Sequence, residues 1–229
     1  MKDKQKLHEK SWFKPTIVII VILLVIGLVK ILVYKPFDDL FKKFKQNTVE
    51  AESYDMDSII TQTDPYLGSP KALVKIVEFG DFACPYCQLA SSVMREVTLE
   101  YGDDIFYQFR DFTVVSPQSI WLAQAANCAN EQNKFWPMHD QLFQKQGQIT
   151  ESNIYQIAQG MGIEINKFRS CLESERFKNE IYDDFLTGQN LGVQGTPTFF
   201  INGYKFDGVP EKENLKKLID RMMFIEDNL

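Results

Sequence analysis

Histidine is almost missing from this chain: its 229 residues hold two, His8 and His139, alongside only four cysteines. A zinc site draws four nitrogen or sulfur ligands, commonly from a second cysteine pair or from paired histidines. Here Cys84-Pro85-Tyr86-Cys87 is the one close pair, and Cys128 and Cys171 stand far apart with no ligand beside them. Half a zinc site therefore remains the alternative reading of the pair, and a reactive dithiol is the leading one. Internal repeats and low-complexity tracts are missing too. Basic excess is confined to the first 34 residues, which carry six lysines and two acidic residues, while the remainder carries a net charge of -10 within a total of -6. An acidic globular part argues against nucleic acid as a partner.

What the N-terminal region does have is an apolar run from Ile17 to Val29, resumed after Lys30 by Ile31, Leu32 and Val33. That length suffices for a membrane-spanning helix of about 20 residues, with Lys30 snorkelling to the interface. No small-x-small cleavage site and no lipoprotein-type cysteine follows Val33, so an uncleaved anchor over 16–34 is expected rather than a removed signal peptide. Lysines flank the run on both sides, and the charge rule votes only weakly for a cytoplasmic segment 1–15. Cysteine usage adds a second vote, because stable disulfides persist outside the cytosol. Residues 35–68 read as an amphipathic stretch (Phe37, Leu40, Phe41, Phe44) and a linker, closed by the turn signals Asp64-Pro65 and Gly68-Ser69-Pro70.

A globular domain is expected over 69–229. The apolar run Leu73 to Phe79 predicts a strand, and Leu89, Val93, Val97 and Tyr101 continue a helical spacing from Cys87. A strand feeding a helix places Cys84 at the helix N-terminus, where free N–H groups and the helix dipole favour a thiolate, the nucleophilic form of cysteine. Pro85 suits the first helical position, which needs no N–H. Glu78 is the one acidic residue of a strand apolar on both faces. Burial would raise its pKa and let it move a proton near neutral pH, six residues before Cys84.

Ile105 to Phe109 reads as a second strand alternating with polar Gln108 and Arg110. Helical periodicity then holds for some 75 residues through Trp121, Ala125, Cys128, Phe135, Met138, Leu142, Ile154, Ala158, Phe168, Leu172, Ile181 and Phe185, a helical insertion over about 114–191. His139 lies on an apolar face there and reads as a packing or capping histidine. Strand signals return at Thr198 to Ile201, followed by the hairpin turn Asn202-Gly203, by Tyr204 to Phe206 and by a terminal amphipathic helix. Cys128 and Cys171 are either a disulfide closing a loop within the helical region or two reduced core cysteines.

Thr196-Pro197, standing at the head of that strand, resembles the cis-proline element of the thioredoxin superfamily, and Glu78 resembles its buried acid at the same offset before the first cysteine. Cys84 and Pro197 lie 113 residues apart, too far for a strand-helix-strand unit of about 30 residues. A helical insertion at that place resembles the DsbA family of extracytoplasmic thiol-disulfide oxidoreductases, in particular its membrane-anchored members. The stretches Cys128 to Gln132, Phe135-Trp136 and Gly192 to Gly203 carry the same likeness. The fold this implies is α/β: a thioredoxin fold with an inserted helical subdomain behind one transmembrane helix.

The resemblance implies dithiol-disulfide exchange at Cys84 and Cys87, Glu78 handling the Cys87 proton, and Thr196 and Pro197 bordering the groove for substrate backbone. Exported proteins with reduced cysteines would be the substrates, a DsbB-like membrane quinone reductase the recycling partner, and no cofactor or metal is expected. The localisation implied is a single-pass cell-membrane protein with its catalytic domain extracytoplasmic. Pro85 and Tyr86 tune the potential. The best-known DsbA proteins carry Pro-His between the cysteines, and Pro-Tyr resembles glutaredoxins instead, so a potential of roughly -230 to -120 mV is expected. A reductase or isomerase remains the alternative direction, and a CxxC metal-binding protein the alternative class.

Overall fold

Strand β2, Val74–Gly80, is buried at six of its seven residues and forms the middle of a five-stranded sheet. Its flanks explain that burial. The computed structural model describes residues 53–226, and within it β2 runs parallel to β3, Ile105–Asp111, and antiparallel to β4, Thr198–Ile201. Parallel pairing requires a crossover, supplied by helix α1, Pro85–Tyr101. Strand β5, Tyr204–Asp207, returns from β4 through Asn202 and Gly203, both at positive φ. A C-terminal helix, Lys212–Glu226, closes the order. The expected segments 1–15 and 16–34 lie outside the described residues. Among the described residues no helix is long and apolar enough to cross a membrane.

Two readings from the sequence shift, and the structure adds the environment of β3. Leu73 precedes the strand and is 41% exposed, since β2 begins at Val74 and extends to Gly80. On α1 the buried positions are Cys87, Ala90, Met94 and Val97, whereas Leu89 is 57% exposed. The helix inserts through its small and flexible residues, and Leu89 points away from the sheet. Strand β3 has no exposed face at all, every one of its seven residues being buried.

The segment read as the end of a linker explains that last point. Tyr66–Gly68 is an edge strand, β1, paired antiparallel with β3. Gly68 adopts φ +78°, and a Cβ there would lie 1.9 Å from the Ile105 carbonyl oxygen, so the turn is a close backbone approach that only glycine permits. Before β1, a short helix, Met56–Ile59, lies against the sheet with Ile59 fully buried beside Val77, Phe79, Phe112 and Phe200. Gln108 satisfies its amide on Thr61 and on the Asp64 carbonyl, and Arg110 reaches the Ile59 carbonyl, Asp64 and Asp184. The polar residues of β3 are thus fully partnered inside.

Five helices stand between β3 and β4: α2 Ser119–Asn130, α3 Phe135–Gln144, α4 Ile154–Gly160, α5 Ile165–Glu173 and α6 Lys178–Asn190. Helix α2 is buried at nine of its twelve positions, including Ala123, Ala125, Ala126 and Ala129, whose small side chains let α3 and α5 approach closely. The structure joins Cys128 of α2 to Cys171 of α5 in a disulfide with Cα atoms 5.8 Å apart. One core cluster spans this block and both cysteines of the CxxC, with Phe82 and Phe109 between them.

Candidate active site

Cys84 is the N-cap residue of α1, extended at φ -83°, and Pro85 occupies the first helical turn. Cys84 is 4% exposed and Cys87 fully buried, and both are free thiols. The Thr196–Pro197 peptide is cis and brings the Thr196 carbonyl oxygen to 3.2 Å from the Cys84 sulfur, across 112 positions of sequence. Tyr86 projects outward at 64% exposure. The five residues expected to surround the exchange, Cys84, Cys87, Pro85, Thr196 and Pro197, therefore meet in one place.

Their electrostatics differ sharply between the two sulfurs. The Cys84 pKa is pulled down from 9.0 to about 5, chiefly because the Cys87 thiol donates to its thiolate. Burial opposes this, while the Thr196 hydroxyl and the backbone N–H groups of Cys87 and Tyr86 assist. That hydroxyl is buried and meets no partner at hydrogen-bond distance among the described residues, the direct contact to the Cys84 sulfur being the Thr196 carbonyl. Cys87 moves the other way: burial first, then its own hydrogen bond to Cys84 and the nearby Glu78 charge, hold it as a thiol. One sulfur is a ready nucleophile and leaving group, and its neighbour keeps its proton.

Glu78 lies on the sheet face toward α1 and is 1% exposed. Burial raises its pKa to about 8, the Tyr107 hydrogen bond lowers it, and negative charge on Cys84 raises it further. Tyr107 Oη donates to Glu78 Oε2 at 2.7 Å, and Oε1 has no partner among the described residues.

Two further groups position the dithiol and carried no clear signal in the sequence. Fully buried Asp81 accepts from the Ala83 N–H through Oδ1 and from the Val114 and Val115 N–H groups through Oδ2. Its own N–H donates to the Cys87 sulfur at 3.4 Å, and its carbonyl accepts from the Cys84 N–H. An aspartate three residues before the first cysteine is the hint that turn chemistry offers. Gln146, beyond α3, donates to the carbonyls of Phe82 and Cys84, and its sequence distance of 62 from Cys84 gives no hint whatever.

His139 is packed within the rings of Phe82, Phe109, Phe135, Trp136 and Phe143, and burial lowers its pKa to about 3. Among the described residues no group of three or more His, Cys, Asp or Glu side chains is placed to hold a metal ion.

A dithiol at a helix start, beside a cis-proline and above a buried acid, on a sheet of this order, defines the thioredoxin class. The sequence profile of the family described as Thioredoxin matches residues 60–221, and the chain belongs to that family. In fold the chain is DsbA-like, with its helical block between β3 and β4. It is 32% identical to a probable disulfide bond formation protein D from Bacillus anthracis, over 88% of this chain and 91% of that one. It is also 35% identical over 147 residues to a Na(+)/H(+) antiporter NhaA 3 of Salinispora tropica, a match spanning 63% of this chain but only 22% of the antiporter. In fold it resembles the thiol-disulfide exchange protein alpha-DsbA2 of Wolbachia pipientis, with TM-score 0.67 and 24% identity over 73% of this chain and 91% of that one.

Proposed function

We propose that the protein introduces disulfide bonds into exported proteins, acting as a dithiol oxidase at Cys84 and Cys87 outside the cytosol, anchored by residues 16–34. The observation that carries this reading is the asymmetry of the pair, a Cys84 thiolate stabilised down to about pH 5 beside a buried Cys87 thiol. Stabilising the thiolate favours the reduced pair, which makes its disulfide the stronger oxidant.

The cycle starts from the Cys84–Cys87 disulfide. A substrate thiolate attacks the Cys84 sulfur, forming a mixed disulfide and breaking the bond to Cys87, which leaves as a thiolate. Glu78, mostly protonated at neutral pH because its pKa is about 8, gives that thiolate its proton. A second substrate thiolate then attacks the first substrate sulfur, and Cys84 departs as a thiolate. The substrate gains one disulfide and the enzyme two electrons. Thr196 and Pro197 border the groove in which substrate backbone docks, and a DsbB-like membrane quinone reductase takes the electrons. Run backward, the same chemistry is that of a reductase or isomerase, and the direction follows from the resident redox state. Alkylation trapping in intact cells is expected to find the Cys84–Cys87 pair mostly oxidised. Mostly reduced protein would overturn the oxidase reading.

A further inference from the structure

Glu78 has one hydrogen-bond donor among the described residues, and it comes from a neighbouring strand. Pairing sets Ile76 beside Tyr107 and Glu78 beside Phe109, so strand alternation turns Tyr107 and Glu78 onto the same face, one diagonal step apart. Both are 1% exposed, and the phenol donates to Oε2 at 2.7 Å. Tyr107 itself stays protonated at every working pH, because burial and the Glu78 charge push its pKa well above 10. Its ring packs on Trp136 of α3 at a centroid distance of 5.3 Å, and the Trp136 indole N–H is fixed on the Tyr66 carbonyl of β1.

We propose that Tyr107 is a positioning residue of the exchange reaction: its phenol sets how readily Glu78 trades a proton with Cys87, and the helical block holds that phenol in place through Trp136. The titratable groups facing Glu78 are Tyr107 from β3 and Cys84 and Cys87 from α1. Opposite it on β4 stands Phe199, which is apolar. A donor to a buried carboxylate stabilises the charged form, so the phenol keeps Glu78 within reach of both protonation states near neutral pH. With the phenol gone, both carboxylate oxygens would be buried and bare, and the acid would hold its proton far more tightly.

This inference rests on the exchange reading of Cys84 and Cys87, and the test separates the two. Reduced protein is mixed with excess oxidised glutathione across a pH series. Cys84 thiolate attacks first, forming a mixed disulfide and releasing one glutathione thiolate. Cys87 then attacks the Cys84 sulfur, releasing the second glutathione as thiolate and passing its proton to Glu78. With Cys84 already ionised above about 5, the pH dependence of the second release reports the proton acceptor. In the unmutated protein its midpoint is expected at or below the Glu78 value of about 8, because the Cys84 charge that helps to raise it is gone in the mixed disulfide. In Tyr107→Phe that midpoint should rise by about one to two pH units, a ten- to hundredfold drop in ionised acid at neutral pH. Glu78→Gln should remove it, and adding Tyr107→Phe to Glu78→Gln should change nothing more.

An unmoved midpoint in Tyr107→Phe, with Glu78→Gln still removing it, overturns the inference and leaves the exchange reading standing. Failure of the unmutated protein to release either glutathione overturns the exchange reading itself. Should Tyr107→Phe not fold, the Tyr107 Cζ resonance of the unmutated reduced protein should titrate with the Glu78 carboxyl at a shared midpoint. A Cζ resonance flat across that midpoint overturns the inference equally.

Discussion

The reduction potential of the Cys84–Cys87 pair should fall only half as steeply with pH above about 5 as below it, because the structure assigns the two sulfurs different protons. Reducing the disulfide takes up two electrons. Below the Cys84 midpoint both sulfurs also take a proton, which gives a slope of about -59 mV per pH unit, and above it Cys87 alone is protonated, which gives about -30 mV. The absolute value follows from the same shift. Thioredoxin combines a cysteine pKa near 7 with a potential of about -270 mV. Moving the attacking sulfur to about 5 favours the reduced state at pH 7 by about 50-fold, worth ~50 mV at ~30 mV per tenfold. The pair should therefore lie at about -220 mV, at the glutaredoxin end of the window expected from its Pro-Tyr dipeptide. Equilibration in glutathione or dithiothreitol buffers over a pH series, with the thiols trapped by alkylation, measures both quantities. A slope of about -59 mV persisting through neutral pH would show Cys84 to be a thiol there, and a potential below about -270 mV would refute the oxidase direction.

Other outcomes follow from single features. Tyr86→His places an imidazole beside the thiolate, so the Cys84 midpoint, read by ultraviolet thiolate absorbance, should fall below about 5, with the potential rising ~30 mV for each unit. Replacing Cys128 and Cys171 together by alanine opens a loop with a sequence separation of 43 and should lower unfolding free energy by about 4 kcal/mol in denaturant titrations. The Cys84 midpoint should stay in place. Gly188→Ala drives a methyl to 2.6 Å from the Phe112 ring where α6 crosses the sheet, and should cost about 1–3 kcal/mol of stability by thermal melting.

Local spacing made much of the site legible. Cys84, Pro85 and Cys87 define a helix start within four residues, Glu78 sits a fixed six residues upstream, and Thr196-Pro197 heads a strand whose hairpin turn is written as Asn202-Gly203. The edge strand Tyr66–Gly68 was not legible, because three residues beside turn signals hold no periodicity and their strand character comes wholly from pairing with β3. The surroundings of Gln108 and Arg110 were not legible for a related reason. Alternating polarity means an exposed face only if nothing covers it, and here Thr61, Asp64, Ile59 and Asp184 do.

By itself, the sequence determined the order of elements from β2 onward, the candidate dithiol and the place of the helical insertion, since each is carried by covalent neighbours and by hydrophobic period. Tertiary structure alone decided how that pair is tuned. Thr196 meets Cys84 across 112 residues, Gln146 reaches its carbonyl across 62, and Tyr107 finds Glu78 across 29. Hydrogen bonds of this kind act over about 3 Å of space and are blind to distance along the chain, so only the folded sheet and the block packed on it could bring them to the dithiol.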